Sequence, residues 1–410
     1  MAWPLKDWQA YARCGGDGAV AARLLDVPLR PTVAELAALR ADWSEGVVAV
    51  AIEAARARHR AAGKLRPELI DRLIGDEEGV MVASSSIAAH YKAERFAEIG
   101  DAETLDLCCG IGADAFELVR SGCAVTAVDH DPTRAWMAET NAQCEALVED
   151  ASSPAMLERV ADSVIHLDPG RRVGSKRTHR YEDYQPGPDT IARLVTASKG
   201  ACVKLGPGVD FERLPSPPGT YVELLSENGR LTQALLWSGS LATRTLVETG
   251  ERVATMLPAC ERFSARPGPL IDADRWYDSD GPERAILDCV YEADPALERA
   301  GLLGPFAERH GLRPIHPAVG VLTGDAVIES PWLSRFAVLD AMPWRRKAVR
   351  ARLRELGAGL VTIKTRAKLV DPDALQKELR GSGHEPLTVF VLRLGDKATA
   401  IIARREAASG

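Results

Sequence analysis

The sequence predicts an α/β chain built in several parts, with an open and largely parallel sheet in the middle, a helical region before it and a smaller α+β region after it. Three observations carry this. Between residues 104 and 205 short apolar runs alternate with helical segments, the pattern of βαβ units. Two further runs flank Asn228-Gly229, the turn pair that closes a hairpin. A chain of 410 residues, at roughly 150 residues per domain, exceeds one ordinary core.

Residues 1–95, rich in Ala, Leu, Arg and Glu, read as an N-terminal helical domain. Pro31-Thr32 opens a helix through Arg40, a second covers 46–62, and breaks fall at Gly63, Pro67 and a turn over 75–79. Ser84, Ser85 and Ser86 offer a hydroxyl cap to a helix over 87–96. Residues 96–250 hold the sheet, with parallel strands over 104–109, 123–129, 145–149, 163–168 and 200–205 and a hairpin over 221–226 and 231–237. Such sheets bind ligands at the carboxyl ends of their central strands. Residues 251–330, dense in Pro and Gly with weak periodicity, read as a linker and a small mixed ferredoxin-like segment. Residues 331–410 predict a separate α+β domain: strands over 336–340 and 359–364, helices over 344–356 and 372–380, and a terminal hairpin over 387–394 and 398–403.

With 46% hydrophobic and 27% charged residues the composition is globular, which excludes disordered and collagen-like chains. The longest apolar runs, such as 47–52, fall short of the ~18 residues of a membrane span. The first eight residues lack a basic segment followed by an apolar one, so a cytoplasmic protein is expected. Eight cysteines occur without a Cys-x-x-Cys pair, which predicts neither a metal site nor a disulfide frame. A net charge of -7 argues against nucleic-acid binding over the whole surface and leaves room for a local basic face.

The most informative stretch is 105–114, Leu-Asp-Leu-Cys-Cys-Gly-Ile-Gly-Ala-Asp, a strand that ends in Gly-x-Gly and enters a helix. Glycine lets the backbone pass close to a ligand. Nineteen residues after Gly110, Asp129 ends the next strand, where a carboxylate accepts hydrogen bonds from ribose hydroxyls. One strand later, Asp150 is placed to meet an adenine amino group, with the Ala151 amide beside it. The third glycine of a dinucleotide site is replaced by Ala115, and Asp114 puts negative charge at the helix start, which disfavours phosphate. Asp106 adds an acid suited to a cationic amino group. S-adenosylmethionine, with an amino group and no phosphate, fits these residues.

The run 106–112 followed by Val128-Asp129 and Asp168-Pro169 resembles the class I S-adenosylmethionine-dependent methyltransferases. Within them the chain is similar to a bacterial group with a C-terminal THUMP-like domain, with some similarity to trimethylguanosine synthases. The tail carries that part: Glu355-Leu356-Gly357, Ile363 to Arg366 and Val370-Asp371-Pro372 resemble the THUMP-like pattern, and 290–302 resembles what precedes it. The resemblance implies a Rossmann-like sheet and a donor site of Asp106, Cys108, Gly110, Gly112, Asp129, His130, Asp150 and Ala151. It also implies RNA as partner.

The fourth strand ends in Asp168-Pro169-Gly170-Arg171-Arg172. Methylating an exocyclic amine needs acceptors that orient its hydrogens, and Asp168 with the Pro169 carbonyl are the catalytic candidates. In enzymes that methylate base amines, the related motif continues with a second proline and an aromatic ring. Here Gly170 and Arg171 stand in those places. Residues 171–180 hold five Lys or Arg and no acid, and Tyr181 and Tyr184 are candidates for the missing ring. Residues 341–369 hold nine Lys or Arg against Glu355 alone, a surface suited to phosphates. The expected substrate contacts are Gly170, Arg171, Arg172, Tyr181, Arg345, Arg346, Arg350, Lys364 and Arg366, and the expected activity is methylation of a base in tRNA or rRNA. Methylation of a small molecule or protein, and RNA binding by an inactive core, remain open at this point.

Overall fold

The computed structural model describes residues 3–14, 24, 26–173, 176–178, 180–243, 247–268, 286–315, 320–366, 368–394 and 396–406. It divides into two compact units, one of Met1–Val222 with Gln233–Thr249 and one of Glu223–Thr232 with Gly250–Gly410.

The first unit begins with α1 (Leu5–Arg13), α2 (Val33–Asp42), α3 (Glu45–Ala61), α4 (Glu77–Val82) and α5 (Ser86–Ala97). Thr32 and Glu35 close a reciprocal capping box on α2, and Ser85 caps α5 by accepting from the Ala88 amide at 3.1 Å. The expected turn over 75–79 is only half right. Gly79 lies inside α4, because a Cβ there would meet Ile111 Cγ2 at 2.4 Å, so this glycine serves packing and not a bend. The helices are not an isolated domain. Asn141 bonds both the amide and the carbonyl of Ile74, Arg66 pairs with Glu117, and Arg134 grips Asp76 through two bonds, all within one unit.

The sheet follows as β1 (Thr104–Leu107), α6 (Ala113–Arg120), β2 (Val125–Asp129), α7 (Pro132–Ala142), β3 (Glu145–Val148), α8 (Pro154–Arg159), β4 (Val164–Leu167), α9 (Pro188–Ala197) and β5 (Gly200–Leu205). Then come β6 (Tyr221–Glu227) and β7 (Arg230–Gly239). Of this sheet's nine strands these seven run β6-β7-β5-β4-β1-β2-β3, with β5 to β3 parallel and β7 antiparallel to β5. Asn228 and Gly229 both have positive φ, as the two-residue turn requires. β1, β2, β4 and β5 are buried along their whole length, which explains why they read as unbroken apolar runs. The order reverses between β1 and β4, the place where such sheets open a crevice.

In the second unit β8 (Arg252–Leu257) and β9 (Glu261–Ala265) pair antiparallel. The chain continues with β10 (Cys289–Ala293), α10 (Pro295–Ala300), α11 (Leu303–Arg309), β11 (Arg313–Pro314), β12 (Val321–Gly324), β13 (Leu333–Pro343), α12 (Arg346–Glu355), β14 (Ala358–Thr365), α13 (Pro372–Leu379), β15 (Glu385–Leu394) and β16 (Lys397–Arg405). The second sheet runs β11-β12-β10-β13-β16-β15-β14. Residues 251–330 are therefore more than a linker: β10 pairs antiparallel with β13, so one sheet includes both this segment and the tail. Val349 and Leu353 of α12 and Leu375 and Leu379 of α13 bury against Val361, Ile363, Val389 and Val391. No helix among the described residues is long and apolar enough to cross a membrane.

Candidate active site

The turn after β1 is shaped by three left-handed residues, Cys108 (φ 59°), Gly110 (φ 56°) and Gly112 (φ 77°). A β-carbon on Gly110 would meet nothing within 4 Å, so its glycine serves the backbone angle and leaves open space beside it. Its amide donates to Asp129 Oδ2 at 3.0 Å, and the Asp131 amide donates to Asp129 Oδ1 at 3.0 Å. Burial pushes the Asp129 carboxyl above its ordinary value despite these two bonds. His130 is exposed, with Nδ1 3.4 Å from Asp129 Oδ1. Asp150 is exposed too, and the Ser152 amide and hydroxyl hold its carboxyl below the usual range.

A cleft of 920 Å³ opens over the ends of these strands. It is lined by Cys108, Gly110, Asp129, His130, Asp150, Ala151, Asp168, Pro169, Gly170 and Arg171, so ten of the residues singled out from the sequence meet in one cavity. The lining adds Met81 and Val82 from α4, both exposed apolar side chains, which sequence reasoning missed because α4 reads as part of a separate helical region. Seven carboxylates line the cleft (Glu78, Asp114, Asp129, Asp131, Glu149, Asp150 and Asp168) against two arginines, of which Arg134 is committed to Asp76. Such a cavity suits a ligand with positive charge and hydroxyls better than one with phosphates.

Two of the expected donor residues stand apart from the cleft lining. Gly112 packs against α7, where a Cβ would lie 2.7 Å from Ala138 Cα. Asp106 is fully buried and turned to His166, its Oδ1 2.7 Å from Nδ1, and burial raises its carboxyl above the usual range against the influence of His166. It does not offer a free acid to an amino group. From His166 a buried chain continues: Lys92 Nζ lies 2.9 Å from His166 Nε2, 2.6 Å from Asp114 Oδ1 and 3.2 Å from Ser84 Oγ. The Ser84 hydroxyl donates to Asp114 Oδ2 at 2.8 Å. With Lys92 as donor to Nε2, the His166 proton sits on Nδ1 and is donated to Asp106. Burial alone would raise the Asp114 carboxyl, but the neighbouring ammonium groups, Lys92 first and then Lys204, outweigh it and hold the group well below its ordinary range. Asp114 lines the cleft, yet its charge is neutralised from below by Lys92.

On the acceptor side, Asp168 Oδ2 takes a hydrogen bond from Lys204 Nζ at 2.6 Å, and Gly170 exchanges backbone bonds with Gln185. Arg171 reaches toward Gly206, where a Cβ would meet its Nη1 at 2.7 Å. The expectation for the tyrosines fails. Tyr181 and Tyr184 are 4% and 2% exposed and pack edge to face at 5.5 Å, so neither ring is available to a base. The side chain of Arg172 lies outside the described residues.

In the second unit α12 buries Val349 and Leu353 and exposes Arg346, Lys347, Arg350 and Arg354, with Arg345 exposed just before it. Arg346 pairs with Glu378, and Arg352 with Asp340 and Glu355. Lys364 is half-buried, bonded to Glu292 and set over the Phe336 ring, and Arg366 lies 4.0 Å from Glu298. These two are held by acids from 292–298, a segment that in sequence stands apart from the tail.

Residues 333–405 match the THUMP domain-like family. An uncharacterised S-adenosylmethionine-dependent methyltransferase of Mycobacterium tuberculosis, from strains CDC 1551 and H37Rv alike, is 29% identical over 358 residues, spanning 84% of this chain and 92% of its own. The crystal structure of a protein assigned as a methyltransferase from Porphyromonas gingivalis W83 superposes with a TM-score of 0.72 at 18% identity, covering 99% of this chain and 100% of that one, which extends the shared fold over both units. The chain is thus an S-adenosylmethionine-dependent methyltransferase with a THUMP-like domain at its C-terminus.

Proposed function

We propose that the chain methylates an exocyclic amine of a base in tRNA or rRNA, and that its donor lies in the cleft at the ends of β1, β2 and β4. The observation that carries this reading is the gathering of Asp129, Asp150 and Asp168-Pro169 around one 920 Å³ cavity with open space beside Gly110. Asp129, buried and with lone pairs left on both oxygens, accepts from ribose hydroxyls, with His130 exposed beside it. Asp150 accepts from an adenine amino group and the Ala151 amide donates to the ring. When bound, S-adenosylmethionine supplies a methyl carbon on a positively charged sulfur that departs as a neutral thioether.

The chain's own part is orientation. Asp168 and the Pro169 carbonyl accept the two amine hydrogens, which aims the nitrogen lone pair along the line of transfer; the surplus proton of the methylated amine passes to water. Holding reactants this way removes on the order of 7 to 11 kcal/mol from a bimolecular barrier, so no covalent adduct is needed. Cys108 and Cys109 fit that economy, since burial raises both thiols well above their ordinary range. With the tyrosines buried and Arg171 in the aromatic position, Met81 and Val82 offer the apolar contact surface for a planar ring, and the Arg171 guanidinium stacks on it or holds a phosphate. The exposed cations of α12 and the THUMP-like match favour RNA over a small molecule.

Nucleoside mass spectrometry of total RNA from cells with and without the protein tests this. A methylated base that disappears on deletion and is restored by the wild type but not by Asp168→Ala supports the reading. An unchanged profile contradicts it and favours RNA binding by an inactive core, the alternative that Gly170 and Arg171 keep in view.

A further inference from the structure

Lys204 lies inside β5, in the run Ala201-Cys202-Val203-Lys204-Leu205, and is 2% exposed. Burying an ammonium costs several kcal/mol unless partners return it, and an apolar residue at this strand position would escape that cost. The partners are specific. Nζ donates to Asp168 Oδ2 at 2.6 Å and to the carbonyl of Val82, the last residue of α4, at 3.2 Å. One ammonium thus ties the carboxylate that follows β4 to the end of a helix that also lines the cleft. The other carboxylate oxygen, Asp168 Oδ1, has no hydrogen bond among the described residues.

We propose that Lys204 is a positioning residue for methyl transfer: it fixes Asp168 through Oδ2, sets its distance from α4, and leaves Oδ1 as the acceptor presented to the incoming amine. This rests on the reading of Asp168 as the group that orients the acceptor. Lys204 itself touches neither donor nor acceptor. Its contribution appears in the rate at saturation and not in donor affinity.

The test compares wild type, Lys204→Met and Lys204→Arg in the full-length protein. S-adenosylhomocysteine affinity, read by calorimetry, stays within about threefold of wild type in both variants, while methyl transfer from tritiated S-adenosylmethionine to RNA from cells lacking the protein loses roughly 100-fold in kcat in Lys204→Met with little change in KM. Lys204→Arg, which keeps a cation within reach, recovers roughly tenfold of that loss. Crystals of Lys204→Met with S-adenosylhomocysteine show the Asp168 carboxylate swung from its wild-type position. Near wild-type kcat in Lys204→Met, or a carboxylate that has not moved, overturns the proposal; if that variant fails to fold, Lys204→Gln is held to the same two criteria. Should the wild type transfer no methyl to this RNA, the RNA reading fails, and the position of Asp168 in the crystals decides the role of Lys204.

Discussion

Asp129 holds the turn with the same two oxygens that the proposed function gives to a ligand. Its bonds to the Gly110 and Asp131 amides fix the loop after β1, while its raised proton affinity comes from burial. If the ionised form receives the ribose, donor affinity falls as pH drops through a value above the ordinary carboxylate range, earlier on acidification than an exposed aspartate would allow. Calorimetric titration with S-adenosylhomocysteine across that range reads it, and affinity constant down to ordinary carboxylate pH values would contradict the assignment. Gly112 belongs to stability instead. Gly112→Ala meets both a left-handed φ and the Ala138 backbone, a cost of about 2 kcal/mol or more, visible as a lower denaturation midpoint. Gly110→Ala shares only the backbone angle and should destabilise less.

At the scale of single elements, α12 shows where sequence reasoning reached and where it stopped. The spacing of Val349 and Leu353 marks one buried face, and Lys347, Arg350 and Arg354 are exposed as a basic helix predicts. Replacing Lys347 and Arg350 by Glu should weaken RNA binding and lower the slope of log affinity against log salt by roughly 1 for each phosphate no longer neutralised, measured by filter binding over a salt series. An unchanged slope would remove α12 from the interface. Lys364 and Arg366 look equivalent to these in sequence, but their acid partners Glu292 and Glu298 lie some seventy residues earlier, which no local pattern reveals. β5 was legible to the residue because all six positions are buried. Lys204 within it was not, since a lysine in an apolar run gives no sign of its partner. Tyr181 and Tyr184 failed for the converse reason: aromatic rings near a motif are as ready to pack on each other as on a substrate.

Across the first unit the cleft rests on a buried polar chain, from Asp106 through His166, Lys92 and Asp114 to Ser84, drawn from α5, β1, α6, β4 and the loop before α5. Lys92→Met leaves Asp114 and His166 without their shared ammonium, and removing one partner of such a buried set costs about 3 to 5 kcal/mol, so thermal unfolding should shift down by many degrees. The Asp114 carboxyl, held below its ordinary range, contributes stability that is present above the unfolded-state value and lost as pH falls through the folded one. In Lys92→Met that part of the acid dependence should shrink. The helical N-terminus is thus joined to the sheet by charged contacts among others, and their partners lie far apart in sequence, which is why composition alone suggested a domain apart. The most direct measurement of the account as a whole is calorimetric binding of S-adenosylhomocysteine to wild type and Asp129→Ala. Saturable one-to-one binding to the wild type, weakened in the variant by about 1.5 to 3 kcal/mol, or roughly ten- to a hundredfold, is the predicted result; no binding to the wild type, or equal affinity in the two, would contradict a donor held in this cleft by Asp129.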